Sequence, residues 1–208
     1  QPERCKSALM SRALLLAAVL ALPAAALAQP FRSSDWRAEA SAADRARIQG
    51  LEAAWREGLA EARAEGFGPQ IRASGALLRP EAALAGRVPP APGDYRCRTI
   101  KLGSQGVTGA FVAYPFFRCR VTLTPGGDLN LVKRTGSQRP VGTLLPDTRR
   151  RLVFLGSLGL GSDPAPGYGR APDTDLVGVV ERIGPQRWRL VLPRPYAESD
   201  LDVIELVR

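Results

Sequence analysis

Phe117-Arg118-Cys119-Arg120-Val121-Thr122-Leu123-Thr124 decides the fold. Apolar and polar residues alternate along it, the pattern of a strand with one face in a core and one in water. Tyr95-Arg96-Cys97-Arg98-Thr99 is an earlier near-copy of its centre. No other cysteine follows residue 28. Two cysteines at matching places in two strand patterns predict a Cys97–Cys119 disulfide in an oxidising space.

The start of the chain supplies that space. Met10-Ser11-Arg12 precedes an apolar run from Ala13 to Leu22, and Pro23 and Ala26-Leu27-Ala28 follow. A basic start, a short apolar core and an Ala-x-Ala exit form a cleaved secretory signal. The run is shorter than the ~20 apolar residues of a membrane span. Cleavage is expected after Ala28, giving a periplasmic or secreted protein with no stable membrane anchor. Gln1 to Leu9, with Cys5, precede the expected start at Met10 and so belong to no mature chain. The expected division is 1–28 upstream residues plus signal, 29–90 a helical leader and 91–208 a disulfide-pinned β domain.

The formal charge is +9. Arg4, Lys6 and Arg12 against Glu3 account for two of these charges, leaving +7 after residue 28. Only Lys6, Lys101 and Lys133 are lysines; every other basic residue is arginine. The bases are scattered among acids, so a nucleic-acid partner is not expected. Histidine is absent. That removes the Ser-His-Asp triad, the Cys-His dyad and His-ligated zinc. A disulfide removes thiolate chemistry as well. No catalytic residue, metal ligand or cofactor motif emerges, and an enzyme would have to work with carboxylates, Tyr, Lys or an unusual serine.

Phe31 to Asp35 reads as a tether. Ser41 caps a helix, and Ile48, Leu51, Trp55 and Leu59 form its apolar stripe, with Gly66 and Gly68 ending it. Pro69 to Leu78 reads as a shorter helix and Pro80 to Leu84 as a turn. Val88-Pro89-Pro90-Ala91-Pro92-Gly93 is a stiff linker. Strands are expected at 94–102, 110–124, 129–134, 141–145, 151–158, 176–183, 187–192 and 201–207, with a hairpin turn at Gly184-Pro185-Gln186. Ser162 to Thr174 is a long polar loop. The fold class is mainly β with an N-terminal helical segment (α+β). About eight antiparallel strands make a small β-barrel, with a β-sandwich as the alternative.

If Cys97 and Cys119 face each other, Arg98 lies opposite Arg118 and Arg96 opposite Arg120, with the loop midpoint near Thr108. Directly opposed like charges destabilise a sheet. Either solvent screening together with acids on adjacent strands, such as Glu181, Asp202 or Glu205, offsets them, or the arginines hold an anion. A disulfide across the barrel or between sheets removes the conflict. Thr135-Gly136-Ser137-Gln138-Arg139-Pro140-Val141-Gly142 is a further polar cluster. It reads as a turn whose groups could also meet a ligand at a barrel mouth. The candidate binding residues are thus Arg96, Arg98, Arg118, Arg120 and Arg139. The Gly-rich stretches at 103–109 and 156–161 lack a Gly-Lys-Ser/Thr ending, which argues against nucleotide binding; the second reads as a strand bend or turn. Trp188 reads as core, with a barrel plug or ligand stacking as alternatives.

The run Tyr95 to Gly103, the phrase Phe117 to Arg120, and Gly136 to Gly142 resemble a family of exported bacterial proteins known only as a domain of unknown function. Glu181-Arg182-Ile183-Gly184, Arg187 to Pro193, Leu201 to Leu206 and the Asp35-Trp36-Arg37 entry fit the same pattern. The resemblance covers nearly all of the expected mature chain and implies no activity, substrate or catalytic residue. The β half also resembles calycin-type barrels, the lipocalin and avidin sort, in shape alone.

The expected function is a ligand-binding barrel for a small or polymeric envelope ligand, anionic if the arginines hold it. The alternatives are a structural or protein-interaction module of the envelope and a carboxylate-based hydrolase. A hollow barrel, a solid one, or paired acids in a pocket distinguishes the three.

Overall fold

The structure, a computed structural model, describes residues 35–106, 109–196 and 198–208. The signal segment, the cleavage point after Ala28, Cys5, residues 31–34 of the tether and Thr108 lie outside the described residues.

Nine strands form one antiparallel sheet: β1 (Gly93–Leu102), β2 (Phe111–Ala113), β3 (Phe117–Leu123), β4 (Leu129–Lys133), β5 (Gln138–Pro146), β6 (Arg151–Leu160), β7 (Asp175–Gly184), β8 (Arg187–Pro193) and β9 (Leu201–Val207). β3 to β9 follow in chain order, and β9 pairs back onto β1 from Leu102↔Leu201 to Arg96↔Val207. That closes an eight-stranded barrel, with β2 as an extra short strand on β1. Pairing of the last strand with the first separates a barrel from a sandwich. The expected strand at 110–124 is two strands, interrupted at Tyr114-Pro115-Phe116. Pro115 has no N–H to give to a ladder.

The expected register of the cysteine strands is corrected by two residues. β1 and β3 pair as Tyr95↔Cys119 and Cys97↔Phe117. The disulfide forms between diagonal neighbours, with sulfurs 2.03 Å and Cα atoms 5.8 Å apart. The slip keeps both cysteines on the inner face, since it is an even number. It brings Asp94 opposite Arg120, while Arg98 faces Glu205 across the separate ladder to β9. Only Arg96 and Arg118 remain as a directly opposed like pair. The observed register therefore satisfies charges that the expected one set against each other.

Alternation assigns the two faces. Tyr95, Cys97, Cys119, Val121, Leu131, Leu144, Phe154, Val180, Leu190 and Leu206 fill one end of the barrel. Trp188 plugs that end: its indole N–H donates to Val88 O at 2.7 Å, and its ring meets Tyr95 edge-on at 5.8 Å. Gly142 and Gly156 pair on adjacent strands beneath the Phe154 ring. A Cβ on Gly156 would lie 2.3 Å from Val141 O, so only glycine fits this close approach. The stretch 156–161 is the end of β6 and the first residue of the turn that follows it.

The helical segment covers the outer face of β6 to β9 and β1. Its elements are α1 (Trp36–Glu39), α2 (Ala42–Gln49), α3 (Leu51–Ala64), α4 (Gly68–Ala73) and 3-10 turns at Gly75–Leu78 and Pro80–Ala82. Ser41 caps α2, accepting from Asp44 N at 3.1 Å. The expected first helix is divided at Gly50 into α2 and α3, yet its stripe stays continuous: Ile48, Leu51, Trp55 and Leu59 share one core with Ile100, Val179, Val191 and Val203. Arg189 of β8 ties the two layers together. Fully buried, it pairs with Glu181 at 2.7 Å and donates to the carbonyls of Leu77, Arg79 and Pro80 at 2.7–3.0 Å, beneath the Trp55 ring.

Candidate functional site

The other end of the barrel is not filled. A cavity of about 160 Å³ opens there between Leu158, Leu160, Leu176, Leu192 and Ile204, with Thr99, Lys101, Gln138 and Asp202 on its polar side. A second hollow, lined by Tyr114, Phe117, Lys133 and Ser137, shares Thr99, Gln138 and Glu198 with it.

Strand parity places the polar groups. Lys101 has the inward parity of Cys97 on β1, and Lys133 that of Leu131 on β4. They are the only lysines among the described residues, and they are 2% and 4% exposed. Lys101 Nζ lies 2.9 Å from Glu198 Oε2 and 3.1 Å from Asp202 Oδ2. Asp202 Oδ1 accepts from Ser199 Oγ at 2.6 Å, and Glu198 accepts from Gln138 Nε2 at 3.1 Å. Burial pulls the Lys101 pKa down, but Asp202 and Glu198 outweigh it and hold it above its ordinary value. Of the two acids sharing that ammonium, the deeper one loses more water. Burial raises the Asp202 pKa in spite of Lys101, whereas the Lys101 hydrogen bond lowers that of Glu198.

Lys133 is different. Its Nζ donates to Thr135 O at 3.0 Å and Gln138 O at 2.7 Å, and it sits 4.0 Å from the Phe117 ring centroid. Among the described residues no carboxylate pairs with it. Burial, with repulsion from Arg139 and Lys101, lowers its pKa from 10.5 to about 8. The mouth therefore contains one compensated ammonium and one uncompensated one beside an apolar cavity.

The sequence-derived candidates are dispersed. Arg98 pairs with Glu205 at 2.5 Å and Arg120 with Asp94 at 3.3 Å. Arg139 donates to the carbonyls of Gly136 and Asp163 at 3.2 and 2.8 Å, as well as to Gly161 O, so it closes a turn. Arg96 and Arg118 stay together on the outer face. None of the five lines the cavity. Of the acids weighed for hydrolysis, Asp202 is the one at the mouth, and its partner is Glu198, which the sequence did not single out. Two acids do converge in a pocket, but Lys101 lies between them. Trp188 is core. No group of residues fit to hold a metal ion occurs among the described residues, nor is any described helix long and apolar enough to cross a membrane.

Fold and site together define a class: a small closed antiparallel barrel, capped outside by helices, plugged at one end and open at a polar mouth. The chain belongs to the family described as Domain of unknown function (DUF4893), which it matches over residues 36–206. No curated protein and no solved structure matches it.

Proposed function

We propose that this protein is a binding module that takes a small ligand with an apolar body and an anionic head into the barrel mouth. The observation that carries the reading is Lys133, a buried ammonium without a carboxylate partner among the described residues, beside a cavity walled by leucines. An unpaired buried charge is costly, and an incoming anion would compensate it. A cavity of about 150 Å³ takes a benzene-sized body, so a chain of about six carbons fits, with its head at Lys133. Export to an oxidising envelope compartment belongs to the same proposal. The Cys97–Cys119 bond supports it, because such bonds persist there. The interaction-module reading has less behind it, since the apolar face of α3 is already packed against the barrel.

Calorimetric titration with octanoate, octanol and octylamine tests the proposal. Octanoate should bind best. Leu176→Trp, which fills the cavity, should abolish binding in a folded protein. Lys133→Met should weaken octanoate at least tenfold and leave octanol unchanged. No octanoate binding, or binding indifferent to Leu176→Trp, overturns the reading.

A further inference from the structure

Away from the mouth, an open cleft of about 680 Å³ is lined by Arg96, Arg118, Arg134, Arg208 and Thr135, with the Asp94 carboxylate also on its wall. Arg96 and Arg118 are directly opposed on antiparallel strands. Arg134 is drawn to the same place because its backbone N–H donates to Arg118 O at 2.7 Å. Neighbouring arginines have acids: Arg98 and Arg187 share Glu205, and Arg120 has Asp94. The guanidinium groups of Arg96, Arg118 and Arg134 have no ion-pair partner among the described residues. Arg96 is held instead on the Phe116 ring, 4.4 Å from its centroid.

Opposed like charges in a ladder cost stability. A sheet that satisfies Arg98, Arg120 and Arg187 with acids leaves three guanidinium groups here without an ion pair among the described residues, and the one carboxylate on the cleft wall, Asp94, is already held by Arg120 at 3.3 Å. Guanidinium forks match tetrahedral oxyanions, and several forks together favour a group with more than one negative charge over a single carboxylate. We propose that this cleft is a binding site for a phosphate group, separate from the barrel mouth and independent of its occupant. The phosphate could come from a soluble organophosphate or from a lipid headgroup.

Pyrophosphate is titrated into ¹⁵N-labelled protein while the arginine Nε–Hε resonances are read. Saturable shifts at Arg96, Arg118 and Arg134, with Arg63 and Arg72 unmoved, support a soluble phosphate ligand. Binding to phosphatidic acid vesicles in preference to phosphatidylglycerol vesicles, whose phosphodiester carries one charge only, without a pyrophosphate response, supports a headgroup. In either case Arg118→Gln should weaken binding at least tenfold while raising the melting temperature, because it removes one of two opposed charges. Failure of both probes overturns the proposal. So do uniform shifts over all surface arginines, or an Arg118→Gln variant that loses stability along with binding.

Discussion

Lys133 should make the protein more stable as the solution turns alkaline. Its pKa falls from 10.5 to about 8 in the folded state because burial, Arg139 and Lys101 all disfavour its charge. At about 1.4 kcal/mol per pH unit, that gap amounts to roughly 3 kcal/mol. Below pH 8 the amine is charged in both the folded and the unfolded chain, and the folded state carries the whole penalty. Between pH 8 and 10.5 the unfolded chain keeps a proton that the folded chain has released. Stability therefore rises through this window. Lys101 and other groups titrate nearby, so the reading uses the difference between the native protein and Lys133→Met. The methionine also leaves Thr135 O and Gln138 O without their donor, an offset that does not change with pH. Thermal unfolding of both proteins at pH 7, 8, 9 and 10 gives the difference directly. Over that range it should move in favour of the native protein by roughly 2.5 kcal/mol, or about 5–10 °C at about 2–4 °C per kcal/mol. A difference that is flat or falls with pH refutes the reasoning. So does a Lys133 side chain that titrates near 10.5 by NMR.

Three further outcomes are expected. Arg189→Leu strands the Glu181 carboxylate and the carbonyls of Leu77, Arg79 and Pro80; it should cost about 3–5 kcal/mol in urea unfolding, and a loss under 1 kcal/mol would show that this arginine does not fasten the helices. Gly156→Ala places a methyl group 2.3 Å from Val141 O and 2.6 Å from Phe154 Cζ; a cost of about 3 kcal/mol is expected, and a neutral result by chemical denaturation would contradict the tight crossing. Breaking the Cys97–Cys119 bond by paired serine substitution frees a loop with sequence separation 22; denaturation curves should show a loss of about 3 kcal/mol, and unchanged stability would remove the bond from the account.

Much of the architecture was legible because it rests on local pattern. Alternation in Phe117 to Leu123, the Ser41 cap and the Ile48-Leu51-Trp55-Leu59 stripe all survive in three dimensions. The register was not legible, because the cysteines fix only a parity. Bridges between opposite and diagonal neighbours fit the same sequence, and the diagonal one has the advantage of placing Asp94 against Arg120. Pro115 was a local signal that could have split the long strand. The mouth was the larger miss. The scarcity of lysine was visible, and so was its parity: Lys101 keeps step with Cys97, and Lys133 with Leu131. Joined, the two observations place both ammonium groups inside the barrel. The arginines are many, yet of the five candidates Arg98 and Arg120 meet acids and Arg139 meets carbonyls, and none reaches the mouth. Glu198 follows no strand pattern, and only the folded loop brings it to Lys101.

The proposed anion beside Lys133 is open to one direct measurement. Calorimetry of octanoate binding at pH 8.5, repeated in buffers of different ionisation enthalpy, counts the protons exchanged. Net proton uptake is expected, because the bound carboxylate recharges an amine that is largely neutral at that pH, and it should disappear in Lys133→Met. Binding without proton uptake, or uptake that persists in Lys133→Met, would contradict it.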